Sequence, residues 1–287
     1  MFHSQHESAE LHAAARSVGG CPVYVSDVPG KHNVSLLKKL VLPDGSILRA
    51  KLPGRPTRDC LFADVGKDGI SALKIWNENT AGGGVIGAFN VQGVAWNFHT
   101  NENEKIDTSP SSVVALVKPY DVEPLRKMHG SFAVWKHRSS SLEVLSSGNS
   151  YIETTLEHRN WEVFTISHIQ KSGNVEWAPI GLGDMLNSGG AILHQGTLEE
   201  TTAVSDTTDD GLLRQTIAVT LTVRGPGRFV AYCKPAPSTI IIDNAFESIP
   251  SEPSFAYDTE SGLLQLTLPA EKEGGEPFYA TIAWDNP

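Results

Sequence analysis

The sequence predicts an α+β chain in which a short helix, strand, helix unit is followed by a long series of antiparallel strands. Three observations carry this expectation. The run Pro22, Val23, Tyr24, Val25 is apolar without polar alternation and has a helical pattern on either side, as a parallel strand covered on both faces would have. From residue 53 onward, short hydrophobic segments are separated by Gly, Pro, Asn and Ser clusters, the habit of antiparallel sandwiches. Two of those segments alternate strictly. Ile217, Val219, Leu221 and Val223 interleave with Thr216, Ala218, Thr220 and Thr222, and Leu264, Leu266 and Leu268 interleave with Gln265 and Thr267, so each strand has one face to bury.

Taken in order, Ser4 and Glu7 form a capping-box pattern ahead of a helix rich in Ala and Leu, which Gly19 and Gly20 end. The apolar strand at 22–25 follows and is broken by Ser26, Asp27, Pro29 and Gly30. Asn33 then caps a second helix running to Leu40, closed by Pro43, Asp44 and Gly45. Further strands are expected at 72–76, 85–89, 113–117, 132–137, 151–156, 161–169, 228–232 and 278–284, enough for two packed sheets. Residues 101–112 and 199–211 are polar and without periodicity, and read as exposed loops.

Composition narrows the function. The 287 residues carry 23 Lys plus Arg against 33 Asp plus Glu, a net charge of −10, which disfavours nucleic acid and anionic membranes and suits a neutral ligand. No stretch approaches the roughly 20 apolar residues that span a bilayer, and Met1 is followed by Phe2, His3 and Ser4, not by a basic then apolar leader. Three cysteines, Cys21, Cys60 and Cys233, are too few and too scattered for a zinc motif or a complete disulfide framework. Free thiols and a cytoplasmic setting are expected, with no cofactor and no metal. The glycines Gly82, Gly84 and Gly87 match a dinucleotide-binding spacing but lead into a strand, so no helix N-terminus is there to hold a pyrophosphate. The sequon at Asn33, Val34, Ser35 reads more simply as a helix cap.

Residues 19–27 (GGCPVYVSD) with Pro29, Gly30, Lys31 and His32, then LLKKLVLPDGSILR at 36–49, PTRDCLF at 56–62, LKIWN at 73–77, GAFNVQG at 87–93, APIGLGDMLNSGGA at 178–191 and GRFVAY at 227–232, resemble in order the C-terminal part of raffinose synthases and seed imbibition proteins. RAKLPGR at 49–55 is closer to the seed imbibition, or alkaline α-galactosidase, branch. The resemblance implies an enzyme similar to glycoside hydrolase family 36, with a (β/α)8 barrel followed by a C-terminal β-sandwich. Residues 1–52 would then be the terminal βα unit of the barrel, and residues 53–287 the sandwich. The implied activity is galactosyl transfer from galactinol to sucrose, or hydrolysis of terminal α-galactosides, with sugars such as raffinose as small-molecule partners. The alternative is a non-catalytic unit that binds carbohydrate or braces the barrel.

Retaining glycosidases need two carboxylates roughly 5 Å apart, and the resemblance places both upstream of this chain, so no catalytic residue is assigned. Asp27 is the one carboxylate expected at the C-terminal end of a barrel strand. Ser26, Asp27 and His32 are therefore candidate sugar contacts, although Asp27 also reads as a turn former before Pro29. Of the six tryptophans, Trp161 and Trp284 fall in apolar strand runs and are expected in the core. Trp96, beside Asn97 after Gly93, is the candidate exposed platform for a sugar ring.

Overall fold

The computed structural model describes residues 2–105, 112–204, 213–244, 255–269 and 276–285. The first element is a helix, α1 (Ala9–Gly19), too short to be stable alone. It is held by packing: Ala13, Ala14 and Val18 are fully buried and share a core with Val85, Phe89, Trp161 and Val163. Gly20 ends it at φ 65°, where a Cβ would lie 2.0 Å from the Leu52 carbonyl oxygen, so only glycine fits. The expected capping box does not form. The N-cap is Ser8, and Ser4 is committed elsewhere. The second helix, α2 (Val34–Leu37), is shorter than expected but starts as predicted, with the Asn33 side chain accepting from Leu36 N–H at 3.1 Å.

The barrel expectation is corrected by the strand pairing. No closed barrel is present among the described residues; the sheets are open and their strands antiparallel. Residues 22–25 form no strand, only an isolated parallel bridge between Phe2 and Val25. A parallel strand needs a ladder of neighbours, and here the N-terminal residues fold back to supply one contact, Phe2 N–H to Tyr24 O and Ser26 N–H to Phe2 O. Val23 and Val25 are partly buried while Tyr24 is 58% exposed. The segment is thus covered on one face.

The β region is also layered differently from a single sandwich, because three open sheets stack. The first orders its strands as Arg55–Pro56, Leu73–Glu78, Gly84–Phe89, Trp161–His168, Phe132–Lys136 and Ser141–Leu145. The ribbon of Ser112–Val117 and Ile152–Glu157 covers one face, enclosing Ile86, Phe132, Val134, Phe164 and Ile166. On the opposite face, α1 covers one half. Ala133 and Trp135 on the other half meet Ala178, Ile180, Val230 and Tyr232 of the middle sheet.

The middle sheet comprises Gln170–Ser172, Val175–Leu182, Gly227–Lys234, Leu263–Leu268 and Phe255–Asp258 in that order. Its other face presents Trp177, Phe229, Leu264 and Leu266 to the third sheet, built around Leu213–Val223 and Phe278–Asp285. There Ile217, Val219, Leu221 and Val223 are all buried, as their alternation predicts. Trp177 and Trp284 meet edge to face across the layers, with ring centroids 5.7 Å apart.

Two segments expected as loops contain strands, Glu102–Lys105 and Glu199–Val204; residues 106–111 and 205–212 lie outside the described residues. The glycine-rich stretch at 82–87 is a hairpin leading into Gly84–Phe89, closed by Asn79 N–H to Gly83 O at 2.7 Å. Among the described residues no helix is long and apolar enough to cross a membrane.

Candidate functional site

Three of the four residues singled out from sequence come together at the N-terminal edge. Asp27 accepts from Ser4 N–H at 2.7 Å and from the Ser4 hydroxyl at 2.6 Å, and His32 Nδ1 lies 3.1 Å away. The Ser4 hydroxyl also accepts from Asn33 N–H at 2.8 Å, so one buried serine joins the start of the chain to the Asp27 turn and to the cap of α2. With Asp27 ionised, His32 Nδ1 is the donor that faces it. Ser26 Oγ is 3.4 Å from each ring nitrogen of His3, too far for a strong bond.

The Asp27 side chain is 2% exposed and that of His32 38%. A ligand therefore reaches the imidazole and not the carboxylate. The Ser4 hydroxyl, followed by the His32 ring and the Ser4 amide, outweighs desolvation and holds the Asp27 pKa below the ordinary carboxylate range. These partners are a hydroxyl, an amide and an imidazole. They fix a charge and orient a ring, but they do not supply the second carboxylate of a double displacement. Ser4 and His3 were not foreseen as members, because Ser4 sits 23 residues from Asp27 and local spacing points it at α1.

A pH test follows from the depressed pKa. A carboxylate whose folded pKa is below its unfolded value contributes fully above about 3.9, and that contribution is lost as pH falls through the folded value. Protection factors for the Ser4 and Asn33 amides, corrected for intrinsic exchange, are expected to fall as pH drops below about 4. In Asp27→Asn they should be low throughout, with no step. A flat wild-type profile would show that this charge does not hold the edge.

Trp96 lies apart from this group, in the ribbon of Val94–Asn97 and Glu102–Lys105, and is 46% exposed. The other five tryptophans, including Trp161 and Trp284, are buried. A carboxylate pair does exist elsewhere, Asp59 and Asp121, but Lys74 Nζ lies between them at 2.9 and 2.8 Å. Burial pushes Asp59 up, yet the Thr57 hydroxyl and Lys74 ammonium win and keep it low, which suits a structural ion cluster and not a proton donor. Among the described residues no three His, Cys, Asp or Glu side chains gather in a metal-holding arrangement.

The model of the family described as "Raffinose synthase or seed imbibition protein Sip1" matches residues 1–268. The chain is 41% identical over 276 residues to a probable galactinol–sucrose galactosyltransferase 6 of Arabidopsis thaliana, covering 93% of this chain and 34% of that protein. It is 38% identical to a galactinol–sucrose galactosyltransferase of Oryza sativa subsp. japonica, over 94% of this chain and 32% of that protein. It is 36% identical to a stachyose synthase of Pisum sativum, over 67% of this chain and 23% of that protein. The chain thus spans about a third of the length of the first two relatives and aligns to their C-terminal part. With ordered motifs along its length and a family model over nearly all of it, this chain belongs to the raffinose synthase or seed imbibition protein family.

Proposed function

We propose that this chain is a non-catalytic, sugar-binding part of a protein of raffinose-oligosaccharide metabolism. Galactosyl transfer from galactinol to sucrose, or α-galactoside hydrolysis, would then be carried by the portion of the relatives that this chain does not span. The observation that carries the reading is the state of Asp27: its oxygens are occupied by Ser4 and His32 and its side chain is 2% exposed. Ser26, His32 and Trp96 are the proposed sugar contacts, Trp96 by stacking on the apolar face of a ring. Three free thiols, Cys21, Cys60 and Cys233, support a reducing, cytoplasmic setting.

Calorimetric titration with raffinose and with galactose is expected to saturate, and Trp96→Ala to weaken binding about tenfold, the equivalent of about 1.4 kcal/mol. The same chain should not turn over p-nitrophenyl α-galactoside, nor galactinol with sucrose. Turnover would overturn the non-catalytic reading.

One observation favours bracing as a second role. Tyr24, Val28 and Val34 are 58%, 62% and 56% exposed along one short segment, apolar groups that a neighbouring domain would cover. On that reading residues 1–52 belong with the portion that is braced and residues 53–287 are the β unit that braces it. A flat titration without turnover would favour bracing over sugar binding.

A further inference from the structure

A cleft of about 610 Å³ opens where α1, the residues after α2, the turn following Phe132–Lys136 and residues 183–185 converge. Its volume is that of a small-molecule site. Lys38, Lys39 and Arg138 line it, and no carboxylate lies within ion-pair distance of any of the three among the described residues. The carboxylates on the wall are Glu10 and Asp184, and Asp184 is already neutralised by Arg228 Nη2 at 2.6 Å and Nε at 3.0 Å. In a chain of net charge −10, the cleft therefore gathers positive charge in a concave setting.

The turn that carries Arg138 is held from beneath. Buried Glu162 accepts from Arg138 N–H at 2.8 Å and Ser139 N–H at 3.4 Å, fixing the turn that carries Arg138. The Arg138 guanidinium sits 5.5 Å from the Trp161 ring centroid, and His137 stacks on Trp161 at 6.1 Å. With both neighbours packed on its ring, Trp161 is not a sugar platform. Its packing instead positions Arg138 and His137. His137 is 8% exposed, and its Nδ1 is buried without a hydrogen-bond partner, an unmet polar group in the wall of the cleft.

We propose that this cleft binds a small organic anion, a phosphomonoester carried on a hydroxylated body such as a sugar or polyol. Three cations without ion pairs match a phosphate dianion. The cleft is far larger than a bare phosphate requires, and Ser140 and Glu10 on the same wall can bond to hydroxyls of the carrier. The site is separate from the proposed sugar contacts at Ser26, His32 and Trp96, and stands whether or not those bind.

The test is calorimetric titration of the full 287-residue chain with glucose 6-phosphate, glucose and inorganic phosphate. Glucose 6-phosphate should bind saturably, several-fold more weakly as NaCl is raised, and glucose should not bind. Lys38→Gln with Arg138→Gln should weaken binding at least tenfold, and Glu10→Gln should strengthen it a few-fold by removing a like charge. Lys38→Glu, at an exposed position, provides a second variant with little risk to folding, checked by circular dichroism. Absence of saturable binding, equal affinity for glucose, or unchanged affinity in Lys38→Glu would overturn the site. Equal affinity for inorganic phosphate would overturn recognition of the hydroxylated carrier.

Discussion

Replacement of Lys74 by Met is expected to lower stability by about 3 kcal/mol, the lower end of the range for breaking a buried ion pair. Lys74 lies on strand Leu73–Glu78 with its side chain 4% exposed. Its ammonium donates to Asp59 at 2.9 Å, Asp121 at 2.8 Å and the Leu116 carbonyl at 2.5 Å. Burial alone would push the lysine pKa down, yet the two carboxylates more than compensate and raise it. Removing the ammonium strands Asp121, whose side chain is 16% exposed, while Asp59 at 60% can rehydrate. That difference is why the loss should not reach the top of the range. The raised Lys74 pKa contributes below its unfolded value of about 10.4 and is lost as pH rises through the folded one. The depressed Asp59 pKa contributes above about 3.9 and is lost as pH falls through its folded one. The stability difference between wild type and Lys74→Met should therefore be largest between about pH 4 and pH 10. Urea midpoints across that range provide the measurement. Asp121→Asn added to Lys74→Met should recover part of the loss; strict additivity of the two changes would show that the three groups do not act as a unit.

What could be read from sequence, and what could not, follows from how far each residue's partners lie along the chain. Leu213–Val223 and Leu263–Leu268 were legible because one face of each is buried and the side-chain period is 2. Val175–Leu182 was hidden by Pro179 and Gly181, residues that argue against a central strand. It survives there because the register with Gly227–Lys234 shifts between those two positions. Glu199–Val204 lacks an apolar face to betray it and is defined by its ladder to Leu213–Val223. The apolar run at 22–25 looked like a strand covered on both faces, a distinction that composition cannot make, since partial burial of Val23 and Val25 looks the same until Tyr24 is seen in solvent.

The motifs that carried the family resemblance were readable as motifs, but their physical role was not. Gln92 of GAFNVQG is 1% exposed, accepts from Gly69 N–H at 3.0 Å and donates to Asp68 at 2.7 Å and to Ser71 O at 2.9 Å. Asn187 in the 178–191 motif donates to the Leu48 carbonyl at 3.1 Å and to Asn79 at 2.9 Å. Both amides hold backbone in place across long sequence separations. Of the candidate site, the grouping of Ser26, Asp27 and His32 was legible because they are neighbours in sequence. The occupancy of Asp27 by Ser4 was not, and it removes the carboxylate from a ligand's reach.

Asn77→Leu is expected to produce the largest effect, about 4 kcal/mol, because several buried polar groups lose their partner at once. Asn77 is fully buried and uses its whole side-chain amide. Oδ1 accepts from Leu52 N–H at 3.1 Å and Glu78 N–H at 2.8 Å, while Nδ2 donates to the Val18 carbonyl at 2.8 Å and to the Leu52 carbonyl. Leucine has similar bulk and none of these bonds, so the loss is of satisfaction and not of volume. Asn77→Asp should be no better, since it keeps the acceptor but sets a carboxylate against two carbonyls. Apart from the adjacent Glu78 amide, the partners lie at the end of α1 and at Leu52, where Lys51 N–H to Glu78 O at 2.8 Å and Gly54 N–H to Gly19 O at 3.0 Å complete the seam. Limited proteolysis of Asn77→Leu should therefore cut within residues 1–52 before the stacked sheets open, and amides of α1 should exchange ahead of those in Leu213–Val223. If both regions instead open together, with proteolysis no faster in one than the other, Asn77 is stabilising the whole molecule and not the seam. A preferential release would show that this amide anchors the seam between the N-terminal segment and the sheet, and that the helix, marginal alone, depends on the sheet it covers.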